Sequence, residues 1–581
     1  MRRSVVLTFT SAAALAATTA VLPSVADAVT PTGAHPARTT TTSGAQDYIV
    51  LYSSPSAAKA ARAAITAAGG TVVSENGEVG YAVARSSDAA FASRVSGSGA
   101  VVGAARDRVI GYAPTEKRAS AAAQQRTKAS DLERLTEVRS QKRPAGQKDA
   151  AAVPDAEPLA NRQWDMRQIG ATPNGSYRVQ PGSKGVRVGI IDTGIDGSHP
   201  DVAANFDAAL SHNFVTDNPA IDGPCEHPSC VDPVDEDDNE HGTHVASTIG
   251  APINGIGIAG VAPNVTLLNL RAGQDSGYFF LQPTLEAITY AADIGVDVIN
   301  MSFYVDPWLF NCVDNPADSP AERTEQRVIR ETTQRALDYA RRHGVLPIAA
   351  MGNEFTDLGH PVEDTTSPDF PAGAAKTRQI DNSCITVPTE SKGVVSVSSI
   401  GPSTRLAYYS NYGTEQTDVS APGGDAYDSP DGTVDPRSMI LAAYPENVAR
   451  ANGDIDENGE PTNDFVVRDC KGDICAYYQY LQGTSMASPH AVGVAALIVS
   501  EYGKKDHKHG GLTLDPSTTE RILERTAVDH ACPQPRDYVW TLVTRSGAVV
   551  SQSATCKGSI RDNGFYGNGV VNAYAAVTAR G

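Results

Sequence analysis

Val186-Arg187-Val188-Gly189-Ile190-Ile191-Asp192-Thr193-Gly194 reads as a buried β-strand that delivers a carboxylate at its C-terminal end. Ligand and catalytic groups of open α/β sheets gather at that edge. Working outward, short apolar runs at 265–270, 296–301, 345–350 and 394–400 also read as strands, and 283–294, 322–343 and 486–502 as helices between or after them. Alternating β and α elements predict an α/β fold, a mostly parallel sheet flanked by helices. Polar inserts at 217–240, 304–321, 354–383 and 424–480 are too long for ordinary connections and are expected to be surface loops.

Two further stretches carry chemistry. His241-Gly242-Thr243-His244-Val245-Ala246 sets a histidine at the start of a small-residue helix. Gly483-Thr484-Ser485-Met486-Ala487-Ser488-Pro489-His490 sets a serine at the start of an apolar one. Taken singly, a strand-end Asp, a helix-start His and a serine before a helix are ordinary structural residues and caps. In the order Asp192, His241, Ser485 they form the set that nucleophilic catalysis needs. Serine attacks poorly until a base takes its proton, and a carboxylate fixes the tautomer of an imidazole base. Pro489 lies early enough in its helix to remove only a first-turn hydrogen bond. The free N–H groups of that helix start face the charge that develops on an attacked carbonyl.

These segments resemble the three signature motifs of the subtilisin-like serine proteases. Gly260-Val261-Ala262-Pro263, Asn300-Met301-Ser302, Ala350-Met351-Gly352-Asn353 and Gly567-Asn568-Gly569-Val570-Val571-Asn572-Ala573 resemble further landmarks of that family in family order. The resemblance covers roughly 161–581 and implies a secreted serine endopeptidase. It implies Asn353 as the side-chain oxyanion donor and Ser302-Phe303-Tyr304 as the strand that pairs with substrate backbone. Ala350-Met351-Gly352 would wall the pocket for the residue before the scissile bond. The family usually has Ser-Leu-Gly at 302–304, so Tyr304 departs from it and should crowd a subsite. A structural calcium ion is implied as well, held by the side chains of Gln163, Asp201 and Asn254 and the carbonyls of Pro252, Ile256 and Ile258. Six or seven oxygens suit calcium far better than zinc. Asp454-x-Asp456-x-Asn458-Gly459 opens like a calcium loop, but Phe465 stands where the last ligand would be Glu, so it reads as a solvated acidic turn. An α/β-hydrolase would need Gly-x-Ser-x-Gly, which Ser485 lacks. The alternative is a catalytically silent binding or adhesion protein on the same scaffold, and retention of Asp192, His241, Ser485 and Asn353 stands against it.

The chain opens on Met1-Arg2-Arg3, an uncharged run over 5–22 and Ala26-Asp27-Ala28, which reads as a signal peptide over 1–28 and an exported chain free of the membrane after cleavage. Residues 46–112 read as a domain of their own: a strand at 48–52, a helix at 56–68, strands at 71–74 and 79–84 about Asn76-Gly77, a helix at 87–96, and a last strand containing Val109-Ile110-Gly111-Tyr112. That β-α-β-β-α-β order is ferredoxin-like. The family resemblance makes it a propeptide, both folding chaperone and intramolecular inhibitor, with Tyr112 and the residues after it threading the cleft. Residues 113–160 have linker composition and should contain the maturation site, leaving 161–581 as the peptidase domain.

The 581 residues carry a net charge of −19, with 18 basic and 13 acidic residues before position 161 and 30 and 54 beyond it. Such an acidic surface repels nucleic acid and anionic membranes. The partners expected are protein or peptide substrates and the chain's own propeptide, with the enzyme a monomer. All eight cysteines lie beyond residue 220 and none forms C-x-x-C, which in an exported chain predicts disulfides rather than a metal cluster. Cys225/Cys230 and Cys470/Cys475 are each five apart, Cys532/Cys556 flank a hairpin-like insert, and Cys312 and Cys384 remain. Spacing leaves the connectivity open among 105 pairings.

Overall fold

In the computed structural model, which describes residues 44–107, 132–135, 156–371 and 373–580, a small α+β unit comes first. Its strands β1 (Gln46–Tyr52), β2 (Thr71–Asn76), β3 (Tyr81–Ser86) and β4 (Val101–Arg106) form an antiparallel sheet in the order β2-β3-β1-β4. Helices α1 (Ala58–Ala67) and α2 (Phe91–Ser96) connect them. The fourth strand follows the Gly97-Ser98-Gly99 turn and pairs with β1. The stretch Val109–Tyr112, the signal peptide and most of 113–160 lie outside the described residues. Because side chains alternate along a strand, β1 sends Tyr48, Val50 and Tyr52 toward α1 and α2, and Ile49 and Leu51 into the core of the larger domain. The close approach there needs Gly103, where a Cβ would meet Thr324 Cγ2 at 2.7 Å.

The larger domain alternates strand and helix: β5 (Arg187–Ile191), β6 (His212–Asn213), α3 (His241–Gly250), β7 (Thr266–Arg271), α4 (Leu281–Asp293), β8 (Val298–Met301), α5 (Pro320–Arg342), β9 (Leu346–Ala350), β10 (Val395–Ile400) and β11 (Val419–Pro422). These strands make one parallel seven-stranded sheet in the order β11-β10-β9-β8-β5-β7-β6. One face buries Val188, Ile190, Val298 and Ile348 beneath α3 and α6 (Thr484–Tyr502), and the other buries Ile191, Leu268, Ile299 and Met301 beneath α4 and α5. Helix α6 is apolar on every side and is buried from Thr484 to Ser500, as such a helix must be. Helix α5 begins at Ser319, whose hydroxyl accepts from the Glu322 N–H while Glu322 returns to the Ser319 N–H, a reciprocal cap.

The long inserts are more than surface loops. Within 424–480, Ile440–Tyr444, Val466–Lys471 and Ile474–Leu481 form a three-stranded antiparallel sheet with the last of these in the centre. Ile440–Tyr444 is fully buried, a strand hidden in the sequence by the polar stretch around it. Trp308 and Phe310 of the insert 304–321 are buried as well. Disulfides join Cys225 to Cys230, Cys312 to Cys384, Cys470 to Cys475 and Cys532 to Cys556, and no cysteine is free. Among the described residues no helix is long and apolar enough to cross a membrane.

Candidate active site

Three element ends meet at the C-terminal edge of the sheet. Strand β5 ends at Asp192, which is fully buried, and its Oδ1 accepts from the Thr193 N–H at 2.8 Å and faces His241 Nδ1 at 2.7 Å. Helix α3 starts at His241, and Gly242 lies so close to the Gly194 carbonyl that a Cβ would overlap it. Asp237, which sequence reasoning missed, organises this helix start. Its carboxylate accepts from Thr193 Oγ1, from the Glu240 and Thr243 N–H groups and from Thr243 Oγ1. The signal available was an acid four residues before a helix-start histidine. His244, the second histidine of that motif, has Nε2 3.2 Å from the Ile440 and Gln479 carbonyls. Burial and the nearby His241 charge push it down to about 3, so it is a structural tie to the three-stranded sheet.

Ser485 sits in the first turn of α6 with its Oγ 3.4 Å from the Ser302 carbonyl. The helix and the strand end at β8 are stitched together: Ser302 Oγ donates to the Ser485 carbonyl, Asn300 Nδ2 to Ser302 Oγ, and Ser488 Oγ to Asn300 Oδ1. Asn353 follows β9. Its Oδ1 accepts from Thr484 N–H and Oγ1, both at 2.9 Å, which leaves Nδ2 directed into the cleft. Ser485, His241 and Ser302 line one cleft with Thr193, Asn239, Gly277, Phe279, Phe303, Tyr304 and Leu481.

That cleft contains Leu132–Leu135. Glu133 Oε2 lies 3.4 Å from His241 Nε2, and Glu133 Oε1 accepts from Asn353 Nδ2 at 3.3 Å. The Glu133 and Leu132 carbonyls accept from Gln482 N–H and Nε2, and a Cβ at Gly483 would meet Glu133 Oε1 at 2.8 Å. Arg134 forms an ion pair with Glu240. Burial pushes the His241 imidazole down, but the Asp192 and Glu133 carboxylates outweigh it and hold the ring well above its ordinary value. Asp192 first, and Glu133 beside it, thus favour the protonated ring.

The proposed substrate wall divides. Phe303 stacks on Phe279, ring centroids 4.2 Å apart, and Tyr304 Oη donates to Asp369 at 2.6 Å beside a buried Asp306. Burial, then the Asp369 charge, holds the Asp306 carboxyl well above the usual carboxylate range. Met351 does not line the cleft. It is fully buried in a cluster with Leu309, Phe310 and Leu358 that contains Cys312 and Cys384, so it supports the wall from behind. The Ala350 carbonyl accepts from Thr389 Oγ1, and the Gly352 N–H donates to Thr484 Oγ1.

The residues read as calcium ligands do not fit an ion. Asp201 meets Asn254 and the Ile258 peptide, but what faces its carboxylate is a set of donors: Ile258 N–H at 2.9 Å, Tyr478 Oη at 2.8 Å and Asn254 Nδ2 at 3.1 Å. Gln163 is turned away and exchanges two hydrogen bonds with the Ala259 peptide. Asn254 Oδ1 accepts from Ile256 N–H, and the Lys471 ammonium sits on the Asn254 carbonyl at 2.5 Å. The turn from Pro252 to Ile258 is closed by these bonds, and a Cβ at Gly257 would overlap both Tyr478 Oη and Asp201. The three side chains a cation would need thus already spend their oxygens on N–H and O–H donors, with an ammonium beside them. Asp454 is likewise not solvated: it is buried and accepts from Tyr444 Oη and Asn463 Nδ2. Three groups of acids and a histidine that could gather about a cation all include Asp232, which pairs with the buried Arg271 guanidinium, as do Asp217 and Asp275.

Comparison with known proteins gives the same picture. The family model described as "Subtilase family" matches residues 183–569. A "Thermophilic serine proteinase" of Bacillus sp. (strain AK1) is 29% identical over 327 residues, 56% of this chain and 55% of that one. "Fervidolysin" of Fervidobacterium pennivorans is 27% identical over 382 residues, 64% of this chain and 41% of that one. The chain thus spans about half the length of these relatives. The solved structure of an epidermin leader peptide processing serine protease from Staphylococcus aureus superposes with a TM-score of 0.57 at 21% identity, over 92% of this chain and 98% of that one, a likeness of fold.

Proposed function

The chain belongs to the subtilase family, and on that premise we propose that it is a secreted serine endopeptidase, made as a precursor that inhibits and then processes itself. The observation that carries this reading is the Glu133 carboxylate, which lies between His241 Nε2 and Asn353 Nδ2. Those two groups are the ones that would hold the proton and the oxyanion of a tetrahedral intermediate, and a carboxylate presents a similar negative charge to both. Its presence on an intact cleft supports inhibition by a segment awaiting removal. A decayed scaffold would need no such plug.

Once Leu132–Leu135 leaves, His241 loses a neighbouring anion, its pKa falls, and the neutral ring is free to take the Ser485 Oγ proton. Oγ turns from the Ser302 carbonyl to the substrate carbonyl carbon, and Asp192 stabilises the imidazolium that forms. Asn353 Nδ2 and the N–H groups at the start of α6 receive the oxyanion. Its collapse expels the amine, protonated by His241, and leaves an acyl-enzyme on Ser485 that water hydrolyses by the same relay. Every group in this sequence belongs to the chain. Residues 46–106, packed by one sheet face on α5, serve as the folding and inhibitory domain. The signal peptide over 1–28 and four disulfides suit an extracellular life as a monomer acting on proteins.

The test is covalent. Processed protein should react with a serine-directed fluorophosphonate and cleave casein, and Ser485→Ala made in a protease-deficient host should do neither and remain a full-length precursor. Normal maturation of Ser485→Ala there would show that another protease does the cutting.

A further inference from the structure

Glu240 precedes the catalytic histidine and has a conformation that few residues tolerate. Its φ is +89°, a left-handed backbone that residues with a side chain rarely adopt unless the surroundings impose it. The surroundings do impose it. The Glu240 N–H donates to Asp237, and its carbonyl accepts from the His244 N–H as the first bond of α3. Glycine would satisfy this backbone without strain. The side chain does not cap the helix. It is nine-tenths buried, yet it lines the cleft beside His241, Asn239 and Phe279. Its ion-pair partner is Arg134, also nine-tenths buried, the residue after the carboxylate that plugs the catalytic centre. Among the described residues lining the cleft, Arg134 is the only arginine or lysine.

The geometry points to Glu240 as a specificity-determining residue that selects substrates carrying an arginine side chain next to the scissile bond. Arg134 stands in this structure where that side chain would go. A buried carboxylate beside the reacting centre rewards a cation that it can hold and penalises a neutral group that leaves it desolvated. Guanidinium fits better than ammonium, being planar, weakly hydrated and able to present two parallel N–H groups to a carboxylate. Discharge of Leu132–Leu135 removes the internal guanidinium from the site and leaves it to substrate. The inference rests on the protease reading above and names the substrate class of the same cleft.

The experiment uses enzyme processed from the full chain and a fluorogenic peptide set with Arg, Lys, Gln or Leu at each position flanking the scissile bond. At one position kcat/KM should favour Arg over Gln by at least about tenfold, and Glu240→Gln should cut that Arg/Gln ratio by about the same factor. Glu240→Gly, which relieves the positive φ, should do likewise and guards against misfolding of the first variant. Fluorophosphonate labelling of each preparation separates the two claims. Wild type that labels and cleaves with no arginine preference, or variants that label and keep the preference, overturns the role of Glu240 alone. Wild type that neither labels nor cleaves removes the protease reading and the subsite with it.

Discussion

Glu133→Gln in a Ser485→Ala precursor isolates the carboxylate that holds the cleft shut, since the chain cannot then cut itself. The Glu133 and His241 side chains are only 6% and 14% exposed, with Oε2 and Nε2 3.4 Å apart. Two unit charges at that distance attract by about 5 kcal/mol at an effective dielectric of about 20. One pH unit corresponds to about 1.4 kcal/mol, so even a third of that attraction moves the His241 titration by more than one pH unit. The variant keeps a side chain of the same shape and removes only the charge. Histidine-selective NMR, with His241 assigned among the 12 histidines by its loss in His241→Ala, should show its midpoint falling by at least about one pH unit in Glu133→Gln. The sign of the linkage follows. The plugged state raises the His241 pKa, so the plug gains most below the pKa of the free ring and loses that gain as pH rises through the raised value. Self-processing of the wild-type precursor should therefore quicken toward alkaline pH, and Glu133→Gln should flatten that profile. Equal His241 midpoints in the two precursors would refute the placement of Glu133 and with it the account of inhibition.

Asn353→Ala should lower kcat of the processed enzyme roughly 10²–10³-fold with KM little changed, since only the oxyanion donor is lost; steady-state kinetics on one peptide checks it. Asp237→Ala, which removes the hydrogen bonds that seat the start of α3, should cost on the order of 10²-fold in kcat by displacing His241, while Asp192 stays in place. Asp201→Ala should lower stability by about 3–5 kcal/mol because the Ile258 N–H and Tyr478 Oη are left buried without an acceptor. Denaturant melts should show the same loss with excess calcium and with chelator, and a loss confined to calcium-containing buffer would restore the ion.

The convergence of Asp192, His241 and Ser485 was legible because it hangs on local patterns. A buried strand ending in Asp192 and two helix starts at His241 and Ser485 each announce themselves within ten residues, and a parallel sheet delivers strand ends to one edge. Asn353 was named only through the family resemblance, since by position alone it reads as a turn residue after Gly352. Glu133 was not legible, since a charged residue in a linker becomes an active-site group only through contacts with Asn353 and Gln482 far along the chain. The burial of Met351 was hidden for a different reason. Residues at a strand end alternate in direction, and which of Ala350, Met351 and Gly352 faces the cleft depends on the buried cluster behind them, built from the inserts around Phe310 and Leu358.

The calcium reading shows how a motif can keep its residue types and change its chemistry. Gln163, Asp201 and Asn254 are all present at their expected places, and each could offer an oxygen. The decision lies with Val466–Lys471 and Ile474–Leu481, two strands of an insert that a sequence comparison of the site would pass over. They bring Tyr478 Oη to Asp201 and the Lys471 ammonium to the Asn254 carbonyl. With a hydroxyl donor on Asp201 and an ammonium on the Asn254 carbonyl, the carboxylate is satisfied by hydrogen bonds, and Asn254 directs its amide N–H groups to Asp201 and the Pro200 carbonyl to complete them. The hairpin joins the Asp201 turn to the loop after α3. The stability of this corner then depends on how well the insert folds.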